Sequence, residues 1–249
     1  MIKTMHLAAQ YLAAAGINFV EHKADDSHTS LLFISSNGTL NTFPLNENED
    51  TLSLNYKTFS LEWNSTNATV SYGLHGKTHA ETLAWLKSQA LNAGITKPYA
   101  YSFHYDLPYT ITDDFVYQLE ESQLKNLLDA RILAQSSIAS FLLENKIDSD
   151  ARVWPHHFDT GSYVPNFDED KNAIGFGLAI PDTVQDSFYF YLVMYDANGS
   201  VDTSSFEPLE FGIWKKEGFK GAVLPITDAK DEETVVTFLN QALKTYKKQ

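Results

Sequence analysis

Cysteine is missing from all 249 residues, and that absence excludes a disulfide framework, a thiolate metal site, a cysteine nucleophile and thiol redox switching. Arginine is scarce: Arg131 and Arg152 alone carry the planar fork suited to bidentate carboxylate or phosphate contacts. Basic charge is short as a whole, with 18 Lys and Arg against 32 Asp and Glu and a formal charge of −14. That balance repels nucleic acid and anionic membrane surfaces. No apolar run approaches the roughly 20 residues of a membrane span. The opening residues Met1 to His6 lack the apolar core and small-residue cleavage site of a signal peptide. A cytoplasmic protein without nucleic-acid or membrane partners is the expectation.

Signature motifs are missing as well. No serine stands in a Gly-x-Ser-x-Gly turn, so a serine hydrolase has no warrant. Gly175-Phe176-Gly177 lacks the third glycine and the following helix of a dinucleotide fingerprint, and reads as a close backbone approach inside a strand. Asn37, Asn64 and Asn67 begin Asn-x-Ser/Thr triplets, read here as turn residues.

What is present is enough apolar material, 43% of the chain, to build a core without a staple. A helix from Thr4 is expected to end at Gly16, with Leu7, Tyr11, Leu12 and Ala15 on its apolar side. Leu31 to Ile34 and Thr39 to Leu45 read as a hairpin joined at Ser36-Asn37-Gly38. Alternation at Leu52 and Leu54, then Leu61 and Trp63, then Thr69 to Gly73, continues it as a meander. Thr78-His79-Ala80-Glu81 has capping-box spacing and opens a helix to Gly94. Tyr99 to Tyr109 is an aromatic extended segment. Asp113 to Lys146, broken near Glu120-Glu121-Ser122, is the longest helical stretch and the expected central packing element. Buried strands at Ala173 to Ile180 and Phe188 to Tyr195, shorter ones at Leu209 to Trp214 and Ala222 to Pro225, and a last helix opened by Thr227 or Asp228 complete the chain. The fold class is α+β: antiparallel meanders packed by about four helices in a single domain 1–249, with possible sub-halves 1–110 and 111–249.

The early hairpin, the helix from Thr78, the long helix, Phe158-Asp159 in an aromatic strand, Phe188-Tyr189-Phe190-Tyr191, and Val223-Leu224-Pro225 before the last helix together resemble an uncharacterised bacterial family known only as a domain of unknown function. The resemblance covers most of the chain in order and spacing, and implies architecture without an activity. The family pattern has the Phe-Asp pair but not the double histidine.

The densest chemistry is Val153-Trp154-Pro155-His156-His157-Phe158-Asp159. Read as a strand, it puts His157 and Asp159 on one face and Trp154, His156 and Phe158 on the other, unless Pro155 marks a bulge. His104-Tyr105-Asp106 repeats the His-aromatic-Asp order. Side by side, the two segments offer His104, Asp106, His157 and Asp159 to a divalent metal ion, the one cofactor this pattern leaves open, with a bound water as nucleophile. His157 and Asp159 also suit a general-base pair. Trp154, Phe158 and Tyr105 suit a small-molecule pocket, and Arg152 an anionic ligand or an ion pair. His28 and His79 are remote ligand candidates that read more simply as a turn residue and a first-turn helix residue. Three functions follow: a small-molecule-binding protein, a metal-dependent hydrolase, or a partner-binding scaffold.

Overall fold

The computed structural model describes residues 1–248. It is an α+β fold with two antiparallel sheets and four helices. The chain divides into two compact units, residues 1–129 with 153–158, and residues 130–152 with 159–249.

The first unit is built on α1 (Ile2–Phe19), in which every residue from Met5 to Gly16 is buried. A helix buried on all sides needs small or apolar residues all round, and Leu7, Ala8, Ala9, Leu12, Ala13, Ala14 and Ala15 supply them. Gly16 lies inside this helix instead of ending it. A Cβ there would stand 2.9 Å from the carbonyl oxygen of His28, so the glycine admits the 3-10 turn Ser27–Thr29 against the helix. The helix also packs on β3 (Thr51–Asn55).

β3 belongs to a meander of β1 (Leu32–Ile34), β2 (Thr39–Asn41), β4 (Ser60–Asn64) and β5 (Thr69–Gly73), paired in chain order. The first hairpin turns as expected, with Gly38 at φ +70° and its N–H bonded to the Ile34 carbonyl. Leu40, Leu52, Leu54, Leu61 and Trp63 form the buried side, while β5 is an exposed edge. α2 (His79–Asn92) starts at the expected capping box, with the Thr78 hydroxyl and the Glu81 carboxylate each bonding the other's backbone N–H.

α3 (Glu121–Asn145) begins where the sequence marked a break, and residues 113–120 are irregular. It runs from one unit into the other, its residues to Asp129 in the first and from Ala130 in the second. It is not the most buried helix. Its exposed Leu143 shows a side facing water, whereas α1 has no exposed residue between Met5 and Gly16.

β6 (Arg152–Trp154) brings the chain back to the first unit, where Val153 exchanges two backbone hydrogen bonds of 2.9 Å with Leu31. The second unit's sheet runs in the order β11 (Ile213–Lys215), β12 (Gly221–Pro225), β9 (Tyr189–Asp196), β8 (Ala173–Ala179), β7 (Asp159–Val164), with β10 (Gly199–Ser200) on β9. Gly177 faces Gly161 across β7 and β8, and a Cβ on Gly177 would stand 2.3 Å from the Thr160 carbonyl oxygen. The close backbone approach read from Gly175-Phe176-Gly177 is therefore real. α4 (Glu232–Tyr246) is capped by Asp231, not by Thr227 or Asp228, and packs on β9 and β12.

Candidate functional site

The stretch richest in chemistry is a turn, not a strand. β6 stops at Trp154, residues 155–158 turn, and β7 starts at Asp159. Phe158 adopts φ +61°, its N–H bonds the Trp154 carbonyl at 2.7 Å, and its ring is fully buried. A bulky residue in the left-handed region is strained, and its packing holds it there: the ring stacks on the His6 imidazole at 4.9 Å with 3° between planes. Strand parity therefore does not apply to His156 and His157. Phe158 is core, not a pocket wall.

Beneath the turn lies a polar seam that the sequence pattern did not signal, because its histidine and glutamine sit in an otherwise apolar helix. Gln10 Nε2 donates to the Pro155 carbonyl at 2.7 Å, and His6 Nε2 lies 2.7 Å from the same oxygen. A carbonyl only accepts, so His6 carries its proton on Nε2 and takes the Tyr109 hydroxyl on Nδ1. The Tyr105 hydroxyl donates to Gln10 Oε1 at 2.7 Å. Tyr105 is thus anchored to α1, and its ring is 5.7 Å from that of His156.

The seam continues along α1. Tyr117 donates to the Tyr11 hydroxyl at 3.0 Å, Tyr11 is bonded to His79 Nδ1 at 2.6 Å, and Tyr99 donates to the Tyr11 carbonyl. Burial holds the His79 pKa below its ordinary value, with the Asp113 charge opposing. Burial likewise pushes the Tyr11, Tyr101, Tyr105 and Tyr109 phenols above their usual range. These tyrosines come largely from the expected aromatic segment, which pairs with no strand among the described residues yet alternates: residues 101, 103, 105, 107 and 109 are half-buried and the even-numbered ones exposed.

His104 and Asp106 do share the exposed face of that segment, but His104 Nε2 lies 3.2 Å from Asp26 Oδ2. His157 is exposed at the turn. Asp159, in the second unit, accepts from the Tyr191 hydroxyl at 2.7 Å. Arg152 holds Asp150 with two bonds of 2.8 and 2.5 Å, which is the ion-pair reading. Among the described residues, the one group of histidines and carboxylates whose ligand atoms converge is His22, Asp26 and His28, all within 4.8 Å of one another.

A second feature of the first unit is a cleft of about 570 Å³ lined by Asn48, Asp50, Trp63, Ser65, Thr66, Asn67, Val70, Gln89, Asn92 and Ala93. Its volume is within the range of small-molecule sites. Asn46 builds one wall by folding its loop: its Oδ1 accepts the N–H groups of Asn48 and Asp50, and its Nδ2 reaches Asp50 Oδ2 at 3.1 Å. Trp63 Nε1 donates to the same oxygen at 3.2 Å. The buried Asp50 carboxylate is thus fixed from two sides on one oxygen.

Comparison with family models, curated sequences and solved structures returns no match to this chain. Function therefore rests on these side chains. The sequence carried one usable signal for the cleft, the run of Asn, Ser and Thr around Trp63, which reads first as turn chemistry.

Proposed function

We propose that the protein binds a neutral, polyhydroxylated small molecule of the carbohydrate class in the cleft around Asp50. The observation that carries this reading is the chemistry of the walls. Side-chain amides come from Asn48, Asn67, Gln89 and Asn92, hydroxyls from Ser65 and Thr66, and a fixed carboxylate from Asp50, with no lysine, arginine or histidine in the lining. Amides offer donors and acceptors in pairs and a carboxylate accepts only, which matches vicinal hydroxyl groups. Without a cation the cleft has nothing to neutralise a phosphate or carboxylate, and the net charge of −14 opposes anions further. The exposed Val70 side chain adds an apolar contact for the C–H face of a ring.

This keeps the small-molecule reading and moves it from Trp154, Phe158 and Tyr105, which pack or bond within the first unit, to a cavity. The test is a panel of pentoses, hexoses and disaccharides screened by ligand-observed NMR and thermal shift. One sugar or more should raise the melting temperature. Asn67→Ala and Asn92→Ala, both at exposed positions, should each weaken binding by about 10-fold, the worth of a hydrogen bond of roughly 1.4 kcal/mol. A panel without a single binder, or binding indifferent to both variants, contradicts the proposal.

A further inference from the structure

The loop after α1 puts two imidazoles and a carboxylate around one point. His22 and His28 stand edge to face with ring centroids 4.9 Å apart. Asp26 sits between them in the left-handed region at φ +57°, and its carbonyl accepts the Thr29 N–H and hydroxyl, which closes the turn. Aspartate tolerates that conformation better than most residues. The turn is further fixed by the close approach of Gly16 to the His28 backbone.

We propose that His22, Asp26 and His28 form a binding site for a divalent transition-metal ion of the zinc type. Two imidazoles with one carboxylate are a donor set such ions take, and three protein ligands leave a position for water. Metal bonds of about 2.0–2.1 Å in tetrahedral geometry put ligand atoms roughly 3.3 Å apart. The three ligand atoms lie within 4.8 Å of one another, so an entering ion has to draw them together by at most about 1.5 Å. His22 is exposed, while His28 is buried with the Lys23 N–H 3.3 Å from its Nδ1. That bond uses the Nδ1 lone pair, so an ion bound at Nδ1 takes the place of the Lys23 N–H.

His104 completes the arrangement from the aromatic segment. Its Nε2 makes an ion-pair contact of 3.2 Å with Asp26 Oδ2, the place where a partner behind a metal ligand stands. His104 is a positioning residue in this site. The ion would thereby tie the loop after α1 to the segment that carries Tyr101 and Tyr105. The site is independent of the sugar cleft and stands or falls separately.

The test uses the full chain without a histidine tag, stripped with a chelator and titrated with zinc by calorimetry, and with cobalt by visible absorption. The expected result is one equivalent of zinc and a tetrahedral cobalt spectrum, both lost in His22→Ala and Asp26→Asn. Asparagine keeps the left-handed turn, so a folding failure is not the expected cause of loss. His157→Ala should bind as the wild type does. His104→Ala should weaken zinc about 10-fold, and His104→Gln, which keeps a side-chain N–H to face Asp26, should recover most of that loss. Wild-type protein that takes up no stoichiometric metal overturns the proposal, as does binding that survives His22→Ala or vanishes with His157. Equal affinities in wild type and His104→Ala overturn the role given to His104.

Discussion

The two units solve the problem of a core in different ways. The second sets a continuous apolar cluster, in which Phe141, Phe176, Phe190, Phe238, Leu224 and Leu239 interlock, beside one buried cation, Arg131, which donates to Thr160 Oγ1 at 2.7 Å. The first threads polar groups through its centre, with His6, Gln10, Tyr11 and His79 hydrogen-bonded inside the packing around α1. All eight histidines belong to the first unit and both arginines to the second. The cleft around Asp50 and the convergent His22, Asp26 and His28 are also in the first unit. Polar interiors demand complete pairing and reward it with a unique geometry, so the unit that carries the proposed binding chemistry is the one with a chain of hydrogen bonds along its central helix.

If that contrast is right, truncating a large apolar side chain should be the severest edit in the apolar cluster of the second unit. Phe176→Ala should cost about 3–5 kcal/mol in denaturant unfolding, because the Phe141 ring packed edge-on against it loses its partner and the void is slow to fill. A loss under about 1 kcal/mol would show a loosely packed core and break the comparison. Next in size comes Tyr11→Phe, which removes one oxygen and leaves the Tyr117 hydroxyl and His79 Nδ1 without their shared partner. The expected cost is about 1–3 kcal/mol by the same assay. The smallest effect sharpens the point. The buried Tyr101 hydroxyl has no hydrogen-bond partner among the described residues, so Tyr101→Phe should be close to neutral. A large cost at Tyr101, or none at Tyr11, would mean that the hydrogen bonds of the seam are not what holds it.

Much of the fold was legible because its signals are local. The capping box at Thr78 and Glu81, the glycine turn at Gly38, and the alternation through Leu52, Leu54, Leu61 and Trp63 each depend on neighbours within a few residues. The centre of the first unit was not, because whether a helix is half-buried or fully buried depends on what surrounds it. His6 and Gln10 look like the wet side of α1 until the Pro155 carbonyl and Tyr105 arrive to satisfy them. The same limit hid the partner of His104. His104 shares a sequence pattern with His157, yet its carboxylate neighbour is Asp26, from a loop far away in the chain. Residues 155–158 read as strand because period-2 parity is silent about a left-handed Phe158.

Acid separates the units most directly. A histidine whose folded pKa lies below its unfolded value of 6.5, as burial makes that of His79, supports stability above pH 6.5. That support is lost as pH falls through the folded value, since the unfolded chain then binds the extra proton. The slope is at most about 1.4 kcal/mol per pH unit for one such group. Hydrogen exchange of the intact protein, followed by mass spectrometry at about pH 7.5 and about pH 5.5 and corrected for intrinsic rates, stays above the carboxylate range and so reports histidine. The expected result is faster exchange in peptides covering α1 and the start of α2, with β8, β9 and α4 unchanged. Equal loss of protection in both units, or earlier loss in β8 and β9, would contradict the assignment of the polar, proton-sensitive interior to the first.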